Sequence, residues 1–153
     1  MSVTRRELCA LLPAVLAPTV LLPAIVRAEP SAAEGDVLPS AMYPFEKLSA
    51  RTSNSAVIRD VLKGKLATGE SVEVHETTLS PGGAPHPPHR HLHTEMWLVR
   101  EGTIELSVEG KSTQMGPGSV GFVRSNEEHG IRNIGTLPAT YYVVAMGPGA
   151  AGT

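Results

Sequence analysis

Cysteine is almost absent from this 153-residue chain. The single one, Cys9, sits in an apolar stretch near the N-terminus, so the rest of the chain can form no disulfide and offers no thiolate. A long run with an uninterrupted helical period is also missing. No helix-turn-helix can be placed, and the transcription-regulator class is rejected with it. Basic charge is not in excess, since 13 Lys and Arg stand against 15 Asp and Glu; nothing steers the chain to nucleic acid. What remains is 41% hydrophobic and 18% charged, the balance of a globular protein with one core of its own.

The N-terminus opens with Thr4-Arg5-Arg6-Glu7-Leu8, continues apolar from Leu8 to Val26, and ends in Val26-Arg27-Ala28. Those last residues put small side chains where a signal peptidase requires them. The segment resembles a bacterial twin-arginine export signal, which implies a signal peptide over residues 1–28, cleavage near Ala28, and a periplasmic or secreted protein with no membrane attachment. An uncleaved anchor is the competing reading, because the apolar run is nearly long enough to span a bilayer. Pro13, Pro18 and Pro23 weigh against it, each removing a backbone donor from a spanning helix. Cleavage would take Cys9 away, together with three bases (Arg5, Arg6, Arg27) and one acid (Glu7), leaving a thiol-free chain of net charge −4.

Residues 29–41 are small, polar and Pro-containing, and read as a linker or mobile arm. The domain is expected over 42–148, with a short tail at 149–153. Fifteen glycines and 13 prolines punctuate apolar stretches every few positions, the mark of short antiparallel strands in a sandwich or barrel. Strands are expected at Ala56–Lys63, Val72–Leu79, Glu95–Arg100, Thr103–Val108, Lys111–Met115, Ser119–Val123, Gly130–Asn133 and Ala139–Met146, with turns at Glu101-Gly102, Glu109-Gly110 and Gly116-Pro117-Gly118. No helix is expected. The fold class is all-β.

Four of the six histidines and a glutamate crowd into ten residues, His86 to Glu95. On an extended strand His89 and His91 leave the same face, about 6 to 7 Å apart at the backbone, near enough to converge on one ion. Around them, Gly83, five residues, His89-Arg90-His91, three residues, Glu95, six residues and Gly102 follow in order. Further on come Gly118, five residues, Arg124-Ser125-Asn126, two residues, His129, three residues and Asn133. In order and spacing these stretches resemble the two conserved motifs of the cupins. The resemblance runs from about Leu79 to Asn133, and it implies a small cupin jelly-roll barrel holding a metal through His89, His91, Glu95 and His129. One departure stands out: the second motif usually reads Pro-x-Gly where this chain has Arg124-Ser125-Asn126. Asparagine tolerates the left-handed conformation best after glycine, so the turn can survive.

The alternative for those four residues is a polar barrel mouth without metal, at the cost of leaving ligand-type groups unpaired in an apolar interior. Imidazoles and a carboxylate include no soft ligand, so Mn, Fe, Ni, Co, Cu or Zn all suit the site and affinity does not choose among them. His93 falls in the turn between ligand strands, as a supporting or surface residue. His86, between prolines, either arches over the pocket or is an exposed loop residue. His75 either points into the barrel or is satisfied along its strand. Trp97 and Val99 share the parity of Glu95 and should form an apolar pocket wall or ordinary core. Glu128, beside His129, is a further pocket candidate. Met96 and Leu98 take the opposite face, where their apolarity calls for a second sheet or a partner chain; the resemblance implies pairing there, as a homodimer. For function it implies a metal-dependent enzyme acting on a small oxygen-bearing organic molecule, dioxygenase-like, with decarboxylase and isomerase as further classes. The alternative is a non-catalytic cupin that binds a small ligand or metal.

Overall fold

The computed structural model describes residues 37–53 and 55–152; the expected export signal and its cleavage site lie outside the described residues. Among the described residues a single 3-10 turn, Phe45–Lys47, precedes nine strands: β1 (Ala50–Ser53), β2 (Ala56–Lys65), β3 (Ser71–Leu79), β4 (Thr94–Glu101), β5 (Ile104–Val108), β6 (Lys111–Met115), β7 (Val120–Val123), β8 (His129–Asn133) and β9 (Ala139–Met146). They form a six-stranded sheet in the order β1-β2-β3-β9-β4-β7 and a three-stranded sheet in the order β6-β5-β8. Every pairing between the strands is antiparallel. Among the described residues no helix is long and apolar enough to cross a membrane.

Period-two alternation decides which side chains enter the core. On β9, Ala139, Tyr141, Val143 and Ala145 are buried; on β4, Trp97 and Val99; on β5 and β8, Ile104, Leu106 and Ile131. These inner faces meet in one hydrophobic cluster that also takes in Leu79, Met115 and Val123. Gly102, after β4, has φ +77°, and a Cβ there would lie 2.6 Å from the Ala139 Cα. Glycine is therefore required both for the left-handed turn and for the close approach of β9. The β5–β6 hairpin turns through Glu109 and Gly110, both at positive φ, 46° and 75°, the mirror-image turn whose twist matches the flanking strands.

Part of the segment expected as a linker lies along the sheet, since Val37 bridges Lys65 and the Leu38 N–H bonds the Lys65 carbonyl at 2.8 Å. After β3 the chain leaves the large sheet, passes through the prolines, and meets the edge of β8 at a bridge between His89 and His129. It then returns to the large sheet as β4. The first histidine cluster is thereby carried across the open end between the sheets.

Candidate metal centre

The backbone brings the two motifs together before any side chain acts. His89 and His129 exchange N–H to carbonyl bonds of 3.0 Å each way, and the Asn126 N–H bonds the His91 carbonyl at 2.8 Å. Asn126 stands at φ 63°, the left-handed turn expected where the usual glycine is replaced. Its neighbours then deliver His129 into the barrel, where the side chain is 2% exposed.

The imidazoles of His89, His91 and His129 converge, with ring centroids 4.7 to 5.1 Å apart. One nitrogen from each lies within 4.8 Å of the others, compatible with ligands around a single ion at metal–nitrogen distances of about 2.0 Å. Glu95 enters from β4, one carboxylate oxygen 3.4 Å from His91 Nε2 and the other 3.3 Å from His129 Nε2. Ring orientation is fixed from behind: the Nδ1–H of His91 donates to the His93 carbonyl and that of His129 to the Glu127 carbonyl, both at 2.9 Å. In the neutral ring each Nε2 is thus left as a lone pair aimed at the cluster. His91 Nε2, His129 Nε2 and His89 Nδ1 are all buried without a hydrogen-bond partner, so the site is able to hold a metal ion.

Burial alone would raise the Glu95 pKa, but His129, His91 and His93 around it hold it at about 2. For His129, burial opposes the charged form, yet Glu95 and the Glu127 carbonyl push its pKa above the ordinary value. His89 is lowered, first by burial and then by the neighbouring imidazoles. The carboxylate is thus ionised throughout the physiological range, beside the converging imidazoles.

A cavity of about 210 Å³ opens beside the cluster, walled by Ile58, Trp97, Ile131, Tyr141 and Val143 and carrying the polar side chains of Arg51, His75 and Glu95. Trp97 meets the His129 ring edge-on at 5.4 Å. His75 lies in the cavity wall, and its pKa is lowered chiefly by burial, against the pull of Glu73 and Glu95. Burial likewise pushes the Tyr141 phenol up. His86 is exposed but lines the same cavity and packs edge-on against His89 at 4.2 Å.

Two pocket candidates lie elsewhere. Val99 is buried in the core, one pleat further along β4 than Trp97 and beyond the cavity. Glu128 points outward, because His129 takes the inward parity; its carboxylate is half exposed and 3.9 Å from Arg90. His93 is no surface residue: it stacks on His91 at 3.5 Å and its Nε2 bonds Glu95 at 3.3 Å.

Sequence reasoning missed a clamp. Arg90, opposite in parity to the histidines on either side, donates to the Glu109 carboxylate at 2.6 Å and to the Asn126 carbonyl at 2.7 Å. The same carboxylate accepts the Glu128 N–H at 2.7 Å. Glu109, in its left-handed turn, thereby ties both motifs together from outside. The signal was the parity of Arg90, but its partner lies on a distant hairpin that spacing does not reveal. Asn133 closes the far end, its amide donating to the carbonyls of Leu79 at 3.0 Å and Leu137 at 2.8 Å.

Residues 75–145 match the family described as Cupin domain. An L-ectoine synthase from Bordetella petrii is 36% identical over 74 residues, 48% of this chain and 54% of the relative; the chain thus matches about half the length of that curated protein. Among solved structures, an RmlC-like cupin from Shewanella frigidimarina aligns with a TM-score of 0.59 at 16% identity, covering 71% of this chain and 92% of the other. A "predicted oxalate decarboxylase" from Thermotoga maritima aligns at 0.60 and 16% identity, covering 70% and 99%. The fold is that of the cupins, a jelly-roll barrel of antiparallel strands.

Proposed function

We propose that this chain is a metal-dependent enzyme of the cupin type, holding a divalent transition ion through His89, His91, Glu95 and His129 and acting on a small oxygen-bearing organic molecule with dioxygenase-like chemistry. The observation that carries the reading is the set of orphan nitrogens on His89, His91 and His129, arranged around an ionised carboxylate. Buried polar atoms without partners are costly and uncommon, and three of them converging mark a ligand's place. A bound ion would supply Lewis-acid or redox chemistry to an oxygen of the substrate.

The chain's own residues do the rest. His93 donates to Glu95 and buttresses His91, holding two ligands in orientation. Trp97, Ile131 and Val143 give the cavity an apolar wall. His75, kept neutral by burial, is placed to accept a proton from a bound molecule, while the Tyr141 hydroxyl stays protonated and is available as a donor. Similarity to an L-ectoine synthase supports turnover over simple binding.

Oxygen-electrode traces with a phenolic and carboxylic panel, run beside product analysis and thermal-shift measurements, test this reading. Oxygen uptake with product formation, abolished by His129→Ala, is the expected result. Product without oxygen uptake would replace dioxygenase by decarboxylase or isomerase. Stabilisation by the same compounds with no product would leave a ligand-binding cupin instead.

We also propose a homodimer. Met96 and Leu98 stand opposite Phe122 and Val120 of β7 on the outer face of the large sheet. Phe122 and Val120 are 57% and 60% exposed, an apolar row that water covers poorly. Sedimentation equilibrium should give twice the chain mass for the wild type and a monomer for Phe122→Asp; a monomeric wild type would refute the pairing.

A further inference from the structure

One permanent cation on the cavity wall serves neither the ligand set nor the core. Arg51 is the Cα partner of Ile58 across β1 and β2, and Ile58 lines the cavity. Directly paired residues share a face, so the Arg51 side chain stands on the cavity's side of the sheet. All four residues of β1 are exposed; the strand contributes no buried side chain, and what it brings to the barrel is Arg51 at the rim. The ion pair of Arg51 with Asp60 is long, 3.4 Å, between side chains 55% and 57% exposed. Such a contact is weak and leaves most of the guanidinium's donors free for a ligand.

This step rests on the metal reading above. A divalent ion combined with the single carboxylate of Glu95 leaves positive charge at the floor of the cavity, and Arg51 adds a second positive centre at its rim. Between the two lie the apolar side chains of Ile58, Trp97, Ile131 and Val143. We infer that the cavity takes a small organic anion: its carboxylate is held by the Arg51 guanidinium, its apolar body lies against Trp97 and Ile131, and a second oxygen faces the histidine cluster. A volume of about 210 Å³ falls below that of pockets for drug-sized ligands and restricts the body to about a single ring. Asp60 competes for the same guanidinium and so sets the affinity, while Glu73, the other acid near this end, faces His75 at 3.4 Å and Lys63 at 3.7 Å.

The probes are para-hydroxybenzoate, para-hydroxyphenylacetate and their neutral amides, titrated calorimetrically into the chain with and without cobalt(II). For at least one pair, wild type should bind the acid about tenfold or more tightly than the amide, the worth of a charge-assisted hydrogen bond. Arg51→Gln should abolish that preference, Arg51→Lys should keep part of it, and Asp60→Asn should enlarge it, while cobalt content and melting temperature of Arg51→Gln stay at wild-type values. Equal binding of acid and amide by wild type, binding of neither, or an undiminished preference in Arg51→Gln would overturn the inference. Cobalt content separates the two readings: a wild type that takes up no cobalt fails the metal reading, and the acid-over-amide comparison on the ion-free chain then still decides whether Arg51 anchors a carboxylate.

Discussion

His91 and His93 are two residues apart, stacked at 3.5 Å, and differ in what their nitrogens do. His91 presents an orphan Nε2 to the cluster, whereas His93 spends its Nε2 on Glu95. His91→Ala is therefore expected to remove a ligand and all but abolish metal binding. His93→Ala should leave the ligand count intact and weaken affinity by about tenfold to a hundredfold, the usual scale for a group that orients a ligand. Titration of a divalent ion into both variants checks this, and equal loss in the two would contradict the distinction between ligand and support. Glu95 is the residue on which the rest converge, touching His91, His93 and His129 at 3.3 to 3.4 Å, which explains why its pKa lies so low despite burial.

At the scale of elements, the turn before β8 decides whether His129 arrives. Asn126 holds φ 63°, a conformation that costs most L-residues about 1 to 2 kcal/mol. Asn126→Gly should leave stability near wild type, and Asn126→Val should lower it by at least that amount and weaken metal binding as well, both read from urea melts and ion titration. If Asn126→Val matched wild type in both, the turn would not be what delivers the ligand. The left-handed asparagine was legible from the motif alone, as were eight of the nine strands, because period-two alternation and Gly-Pro turns are local signals. The strand β1 was not: Ala50-Arg51-Thr52-Ser53 is exposed at every position, so it carries no alternation to read. Glu128 was misplaced for a related reason, since nearness to His129 in sequence means the opposite face in a strand. The Arg90–Glu109 clamp and the Arg51 rim depend on which strands neighbour in space, which no local pattern contains.

The whole molecule couples its stability to the centre. In the ion-free chain Glu95, depressed to about 2, contributes stability that is fully present above its ordinary 4.5 and is lost as pH falls from there through about 2. His129, raised, contributes stability present below its ordinary 6.5 and lost as pH rises through its folded value. His75, His89 and His93 are lowered, so their contribution is present above 6.5 and lost as pH falls through their folded values. The ion-free chain should be most stable near pH 6.5, losing melting temperature on both sides. Bound metal holds His129 deprotonated, so the alkaline decline should vanish on loading; melting curves against pH, with and without chelator, check this, and an alkaline decline identical in both would contradict it. The most direct test of the central claim is elemental analysis of the purified chain after exposure to divalent ions and extensive dialysis. The account predicts one transition ion for each wild-type chain and almost none in folded His89→Ala/His129→Ala; a metal-free wild type, or a double variant that keeps its ion, would contradict it.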